Sequence, residues 1–112
     1  MEMSQEKRDQ VNIIGLRGRL DAIACSGVEK QLLAQAAQDH VRIAFDLSGM
    51  SYISSAGLRL LIGVAKQVDM HGGKLALATL NHNVYDIFKI AGVMPLFSVY
   101  GTVDEAERYC AG

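Results

Sequence analysis

Net charge, cysteine and long apolar runs are all scarce in this sequence, and each shortage excludes something. Eleven Lys and Arg stand against twelve Asp and Glu, giving a formal net charge of −1. The cations are scattered singly, with Lys7-Arg8 the only adjacent pair. No basic patch therefore points to nucleic acid or anionic lipid. The two cysteines, Cys25 and Cys110, lie far apart and match no metal-ligand spacing. They read as small buried thiols of a reducing compartment rather than as a disulfide. The first ten residues, MEMSQEKRDQ, are polar and charged, which leaves no apolar core for a signal peptide. No apolar stretch approaches the ~18 residues of a membrane span. The expected location is the cytoplasm, with no direct membrane insertion.

What is present is an ordinary globular composition, half apolar and about a fifth charged. The 112 residues fit one domain, 1–112, which buries roughly two thirds of its unfolded surface. VNIIGLRG at 11–18 is rich in β-branched residues and predicts a strand, with MSQEKR before it as a polar edge strand across an Asp9-Gln10 turn. Ser26-Gly27-Val28-Glu29 has capping-box spacing, and Val28, Leu32, Leu33 and Ala36 continue it as a helix to about Gln38. VRIAFDL at 41–47 alternates, with Val41, Ile43, Phe45 and Leu47 on one face. After a turn at Ser48-Gly49, Leu58, Leu61, Ile62 and Ala65 give the inward face of a helix from Ser55 to Met70, stopped by Gly72-Gly73. KLALATL at 74–80 predicts a strand, and Asn81 caps a helix that turns Val84, Ile87, Phe88 and Ala91 inward. Gly92 and Pro95 end that helix. LFSVY at 96–100 predicts a short strand, and the capping box Thr102–Glu105 opens a last helix carrying Val103, Ala106, Tyr109 and Cys110 inward. Strands alternating with helices predict an α/β fold, a central, mostly parallel sheet with an antiparallel edge hairpin and about four helices.

No catalytic constellation is visible. His40, His71 and His82 fall at the ends of predicted elements, none in a metal-binding repeat. Ser54-Ser55-Ala56-Gly57 lacks the G-x-S-x-G spacing of a nucleophile elbow. Gly72-Gly73 precedes a strand instead of following one, so it is no phosphate loop. Neither a metal nor a cofactor is implied. The informative stretch is DLSGMSYISSAGLRLL at 46–61, where two hydroxyls stand at the opening of a helix. Helix capping is one use for Ser54 and Ser55. Gly57 and Gly63 call for more, because glycine inside a helix costs up to ~1 kcal/mol against alanine. Gly57 in the first turn implies a close approach to that backbone. Leu60 and Val64 lie off the inward face, either under the neighbouring helix or in an exposed docking patch.

Through GRLD at 18–21, FDLSGMSYISSAGLRLL at 45–61, the glycine pair at 72–73 and IAGV at 90–93, the chain resembles the anti-sigma factor antagonist family, the bacterial branch of the STAS domains. YISSAGL is the specific part of the match. The resemblance implies a sheet with helices mostly on one side, and a regulator without catalysis. It implies that the unphosphorylated domain binds an anti-sigma factor with serine-kinase activity and so frees a sigma factor. Phosphorylation of one serine ends that binding, and a serine phosphatase restores it. In the family pattern the acceptor lies two residues before the glycine, which is Ser55 here. Many members carry aspartate just before the acceptor, where this chain has Ser54, so Ser54 remains the alternative. Asp21 and Asp46 are carboxylates that the family places near the acceptor. With Ser54, Ser55, Gly57 and Arg59 they form the expected partner-binding set. A free-standing monomer or weak dimer fits these features. STAS-like domains also serve as accessory subunits of membrane transport systems and as stress-signalling scaffolds, which is the alternative function.

Overall fold

The computed structural model describes residues 1–112. Its elements run β1 (Glu2–Arg8), β2 (Val11–Leu20), α1 (Ala22–Ala36), β3 (Arg42–Asp46), β4 (Met50–Ile53), α2 (Ser55–Met70), β5 (Lys74–Ala78), α3 (His82–Ile90), a 3-10 turn (Met94–Leu96), β6 (Ser98–Tyr100) and α4 (Val103–Ala111). The polar start is indeed an edge strand. β1 folds back antiparallel on β2, from Glu2 opposite Arg17 to Arg8 opposite Val11. All other pairings are parallel, in the order β1-β2-β3-β5-β6, with β4 attached to β2 off that path.

The alternation of the strands sorts side chains into two cores. Ile14, Leu16, Ile43, Phe45 and Leu77 join Leu32, Leu61, Val64, Val84 and Phe88 in the larger one, beneath α1, α2 and α3. On the opposite face Val11, Ile13, Ala44, Ala76 and Ala78 meet Ala106 and Cys110 of α4, with the partly buried Val103 and Tyr100 packed against them. Small residues on those strands let the last helix lie close. With so small an apolar face, α4 also depends on its polar end. Arg42 Nη1 donates to the carbonyls of Cys110 at 2.8 Å and Ala111 at 2.6 Å. A cation on the last carbonyls of a helix satisfies acceptors that have no intrahelical donor.

Several expectations need correction. The first helix begins at Ala22, capped by Asp21, whose carboxylate accepts the Ala24 N–H at 3.0 Å. Ser26 is therefore interior to α1, and its hydroxyl donates to the Ala22 carbonyl. The strand read as 11–18 continues to Leu20 because β4 extends the sheet there. β4 itself has only four residues, too short for its period to register. Ala44, on the other face of the 41–47 alternation, is also buried, beneath α4. In α2 the buried set is Leu58, Leu60, Leu61, Val64 and Val68 rather than Leu58, Leu61, Ile62 and Ala65. The inward face is rotated because α1 packs beside α2, covering Leu60 and Val64. Of the stretch read as a strand over 96–100, Leu96 closes the 3-10 turn and the strand begins only at Ser98. Tyr109 stays more than a third exposed, beside Tyr100 at 5.4 Å.

Arg42→Ala should lower unfolding stability by about 1–2 kcal/mol, the loss of charge-assisted bonds at a partly buried site. Urea denaturation would measure the loss. Amide exchange should speed up in α4 before it does so in α2.

Candidate functional site

β2 outruns β3. Its pairing with β3 ends at Gly15 opposite Asp46, and after a register shift at Gly18 its last residues run beside β4, with Leu20 opposite Ile53. Two strands thus end side by side, and each turns at once into a helix. Asp21 caps α1, and Ser54 caps α2. Two helix N-termini emerge together at one rim of the sheet.

The two adjacent serines are used differently. Ser54 has extended backbone (φ −89°, ψ 173°). Its Oγ accepts the Gly57 N–H and donates to the Leu20 carbonyl, both at 3.2 Å. Its own N–H donates to the same carbonyl at 3.0 Å. That hydroxyl is engaged on both sides and half-buried. Ser55 is the first residue of α2 and is exposed, and its hydroxyl makes no hydrogen bond within the protein. The amides of Ser55 and Ala56 remain free, as the first amides of a helix do when no cap reaches them.

Gly57 has its reason inside the chain. A Cβ there would lie 2.5 Å from the Leu20 carbonyl oxygen and 2.7 Å from Ile53 Cγ1. The close approach inferred from the sequence is that of β2, and Gly57 is buried. It places the site and is itself out of a partner's reach. Arg59, one turn further on, is exposed. It borders a groove of about 310 Å³ between α1 and α2, lined by Ala22, Cys25, Ser26, Glu29 and Ala56 among others. Gly63 lies along the same groove with no atom within 4 Å of its Cβ position. Ile23 stands at the mouth of α1 with 86% of its surface exposed. The sequence reading missed it for one reason. With the helix start set at Ser26 it had no helical phase, whereas counting from Asp21 puts it opposite the buried Cys25, Val28 and Leu32.

Both thiols are free and buried. Burial raises the Cys25 pKa, with Glu29 and Asp21 adding to the effect. Burial also pushes Cys110 up to about 11. No three His, Cys, Asp or Glu side chains come together as a metal site.

The structure brings Asp21, Ser54, Ser55, Gly57 and Arg59 to one rim, and separates Asp46 from them. Asp46 sits level with Gly15, six residues before Asp21 along β2, which is roughly 20 Å at the rise of a strand. There it accepts the Ser48 N–H at 3.0 Å and the Thr79 hydroxyl at 2.8 Å. Thr79 is held at φ 59°, a costly conformation for a β-branched residue. Burial opposes charge on Asp46, but the bonds from Ser48 and Thr79 and the charge of Arg17 outweigh it, so the carboxyl titrates below its ordinary range. A depressed carboxylate stabilises the fold above its unfolded pKa and loses that contribution as pH falls through the folded value. Asp46→Asn should therefore flatten the fall in stability below about pH 4, as measured by denaturant midpoints across an acid series. Gly57→Ala should cost about 2–4 kcal/mol, because the new methyl meets backbone and cannot be relieved by a rotamer change. Thermal unfolding would register it.

Comparison with known proteins bears on this rim. The family model for the STAS domain matches residues 2–106. A Bordetella bronchiseptica protein named as an anti-sigma factor antagonist, BtrV, is 34% identical over 95% of this chain and 91% of its own length. A crystal structure described as an anti-sigma factor antagonist from Thermotoga maritima superposes with a TM-score of 0.90 at 20% identity, covering 98% of this chain and 95% of that one. The antagonist SpoIIAA has been solved unphosphorylated, with a TM-score of 0.80 at 19% identity over 99% of this chain and 98% of its own. The phosphorylated form, described as the Bacillus cell fate determinant, gives a TM-score of 0.72 at 19% identity over 96% and 99%. The family model spans nearly the whole length: the chain belongs to the STAS domain family.

Proposed function

We propose that this protein is an anti-sigma factor antagonist whose docking surface is the rim where α1 and α2 begin, and that phosphorylation of Ser55 closes that surface. The partner is an anti-sigma factor with serine-kinase activity, a serine phosphatase resets the switch, and residues 1–112 act as one domain without catalysis of their own. The setting is the cytoplasm. No helix is long and apolar enough to cross a membrane. The observation that carries this reading is the contrast between the two hydroxyls. Ser54 is tied to Leu20 and Gly57, while Ser55 is exposed and unengaged. The names of the relatives support the partner class.

The chemistry follows from position. A phosphoryl group adds about −1.5 to −2 charges near neutral pH. At the first residue of a helix, free amides and the helix dipole favour that charge by about 0.3–1 kcal/mol, so the fold survives. A partner pressed over Ile23, Ala56 and Ser55 must instead desolvate a dianion beside an apolar contact, which is costly. Asp21, the cap of α1 at the same rim, adds a carboxylate to that neighbourhood. Binding fails while folding persists.

Mass spectrometry after incubation with a cognate kinase and ATP tests the assignment. Ser55→Ala should take no label. Ser54→Ala should still be labelled, but with a stability loss of about 1 kcal/mol from the missing cap. Ser55→Asp should weaken partner binding and leave Tm within about 5 °C. Full modification of Ser55→Ala would overturn the reading.

A further inference from the structure

Arg59 is four residues after Ser55 on the same helix and has no partner. All close ion pairs in the chain involve Arg8 or His82, and the only arginines in side-chain hydrogen bonds are Arg8 and Arg42. Residues four apart lie on one face of a helix, about one turn above each other. Long helical side chains lean back toward the N-terminus, a direction that brings Ser55 within the range of the Arg59 guanidinium. An anion one turn before a cation is also the favoured order along a helix. A guanidinium can bind phosphate oxygens through two parallel N–H groups, which a carboxylate–lysine pair cannot match.

Resting on the reading that Ser55 is the acceptor, we propose that phosphorylated Ser55 is held in cis by Arg59, so that modification both adds a dianion and withdraws the rim cation from the partner. Before modification the guanidinium faces the groove, where the anions are Glu29 and Asp21 of the α1 side; both act on Cys25 together with Arg59. Asp21 is already bound to the Ala24 N–H, and Glu29 is exposed. Neither ties Arg59 down, and a phosphate on its own helix out-competes a solvated carboxylate across the groove. Unmodified, the protein offers Arg59 to an acidic group of the partner. Modified, it offers none. The switch then loses an attraction and gains a repulsion in one event.

Phosphoserine installed at position 55 by genetic encoding tests this without any kinase. Phosphorus NMR titration should give a second phosphate pKa about 0.5 lower with Arg59 present than in Arg59→Gln, with Arg59→Lys between them. The unphosphorylated Arg59→Gln should keep the wild-type Tm, since Arg59 is exposed and unpaired, whereas the phosphorylated variant should melt lower than phosphorylated wild type. Equal phosphate pKa values and equal melting of the two phosphorylated forms would overturn the clamp while leaving Ser55 as acceptor. Failure of a kinase to modify Ser55 would instead strike the assignment of the acceptor and leave this titration standing.

Discussion

The site depends on one carbonyl. The main-chain oxygen of Leu20, at the end of β2, accepts both the Ser54 N–H and the Ser54 hydroxyl. Two donors from one residue fix the start of α2 to the end of β2, and Gly57 lets the helix come close enough for that to happen. The burial of Leu58, Leu60, Leu61, Val64 and Val68 then holds the rest of the helix in register with that tether, each side chain contributing about 1.5–3 kcal/mol. Since Asp21 follows Leu20 directly and caps α1, the same backbone segment also sets where α1 begins. The rim with Ile23, Ser55 and Arg59 is therefore a rigid by-product of strand pairing between β2 and β4, not a loop that must be ordered on binding. A partner meeting it has little conformational entropy to overcome.

That rigidity separates two polar centres which look continuous along the chain. Asp46 and Ser55 are nine positions apart in the sequence, yet β4 carries the chain away along the extended end of β2 before α2 starts. Asp46 faces a network with Ser48, Thr79 and Arg17, where it joins the ends of β3 and β5. Its role there is to hold the loop ahead of β4 and the unusual backbone of Thr79. A charge on Asp46 is largely screened from the rim, since the strand length to Asp21 is itself roughly two Debye lengths at physiological salt. Asp21 remains the carboxylate close enough to shape the rim.

The fold was legible because its signals are local. The alternation through 41–47, the cap at Asn81, the box at Thr102 and the glycine stop after Met70 each specify an element without reference to anything distant, and each stands where the sequence put it. The same locality marks YISSAGL, whose two serines and glycine lie within four residues. What failed depended on tertiary partners. β4 exists because β2 extends to meet it, and nothing within Met50–Ile53 announces that. The face of α2 was misplaced because α1, separated from it along the chain by β3 and β4, packs beside it where Leu60 and Val64 are buried. The beginning of α1 was misplaced because two capping signals compete, Asp21 and Ser26. The one adjoining a strand end won, since a strand that stops against a neighbour leaves the next residue extended, as an N-cap requires.

Adjacent hydroxyls with separate duties solve a problem that a single serine would not. A phosphate placed on Ser54 would remove both the hydrogen bond to Leu20 and the cap on Gly57, and the helix would lose its tether together with about 1 kcal/mol of capping. Binding and folding would then change together, and the modified protein would be less stable as well as inactive. A phosphate on Ser55 displaces no bond, because that hydroxyl has none, and it lies one residue inside the helix where free amides accept negative charge. With net stabilities of only about 5–15 kcal/mol for a domain of this kind, a modification kept off the structural hydroxyl, as proposed for Ser55, would spare the fold. Ser54 thus does the capping work at the mouth of α2 and leaves the neighbouring hydroxyl of Ser55 unengaged.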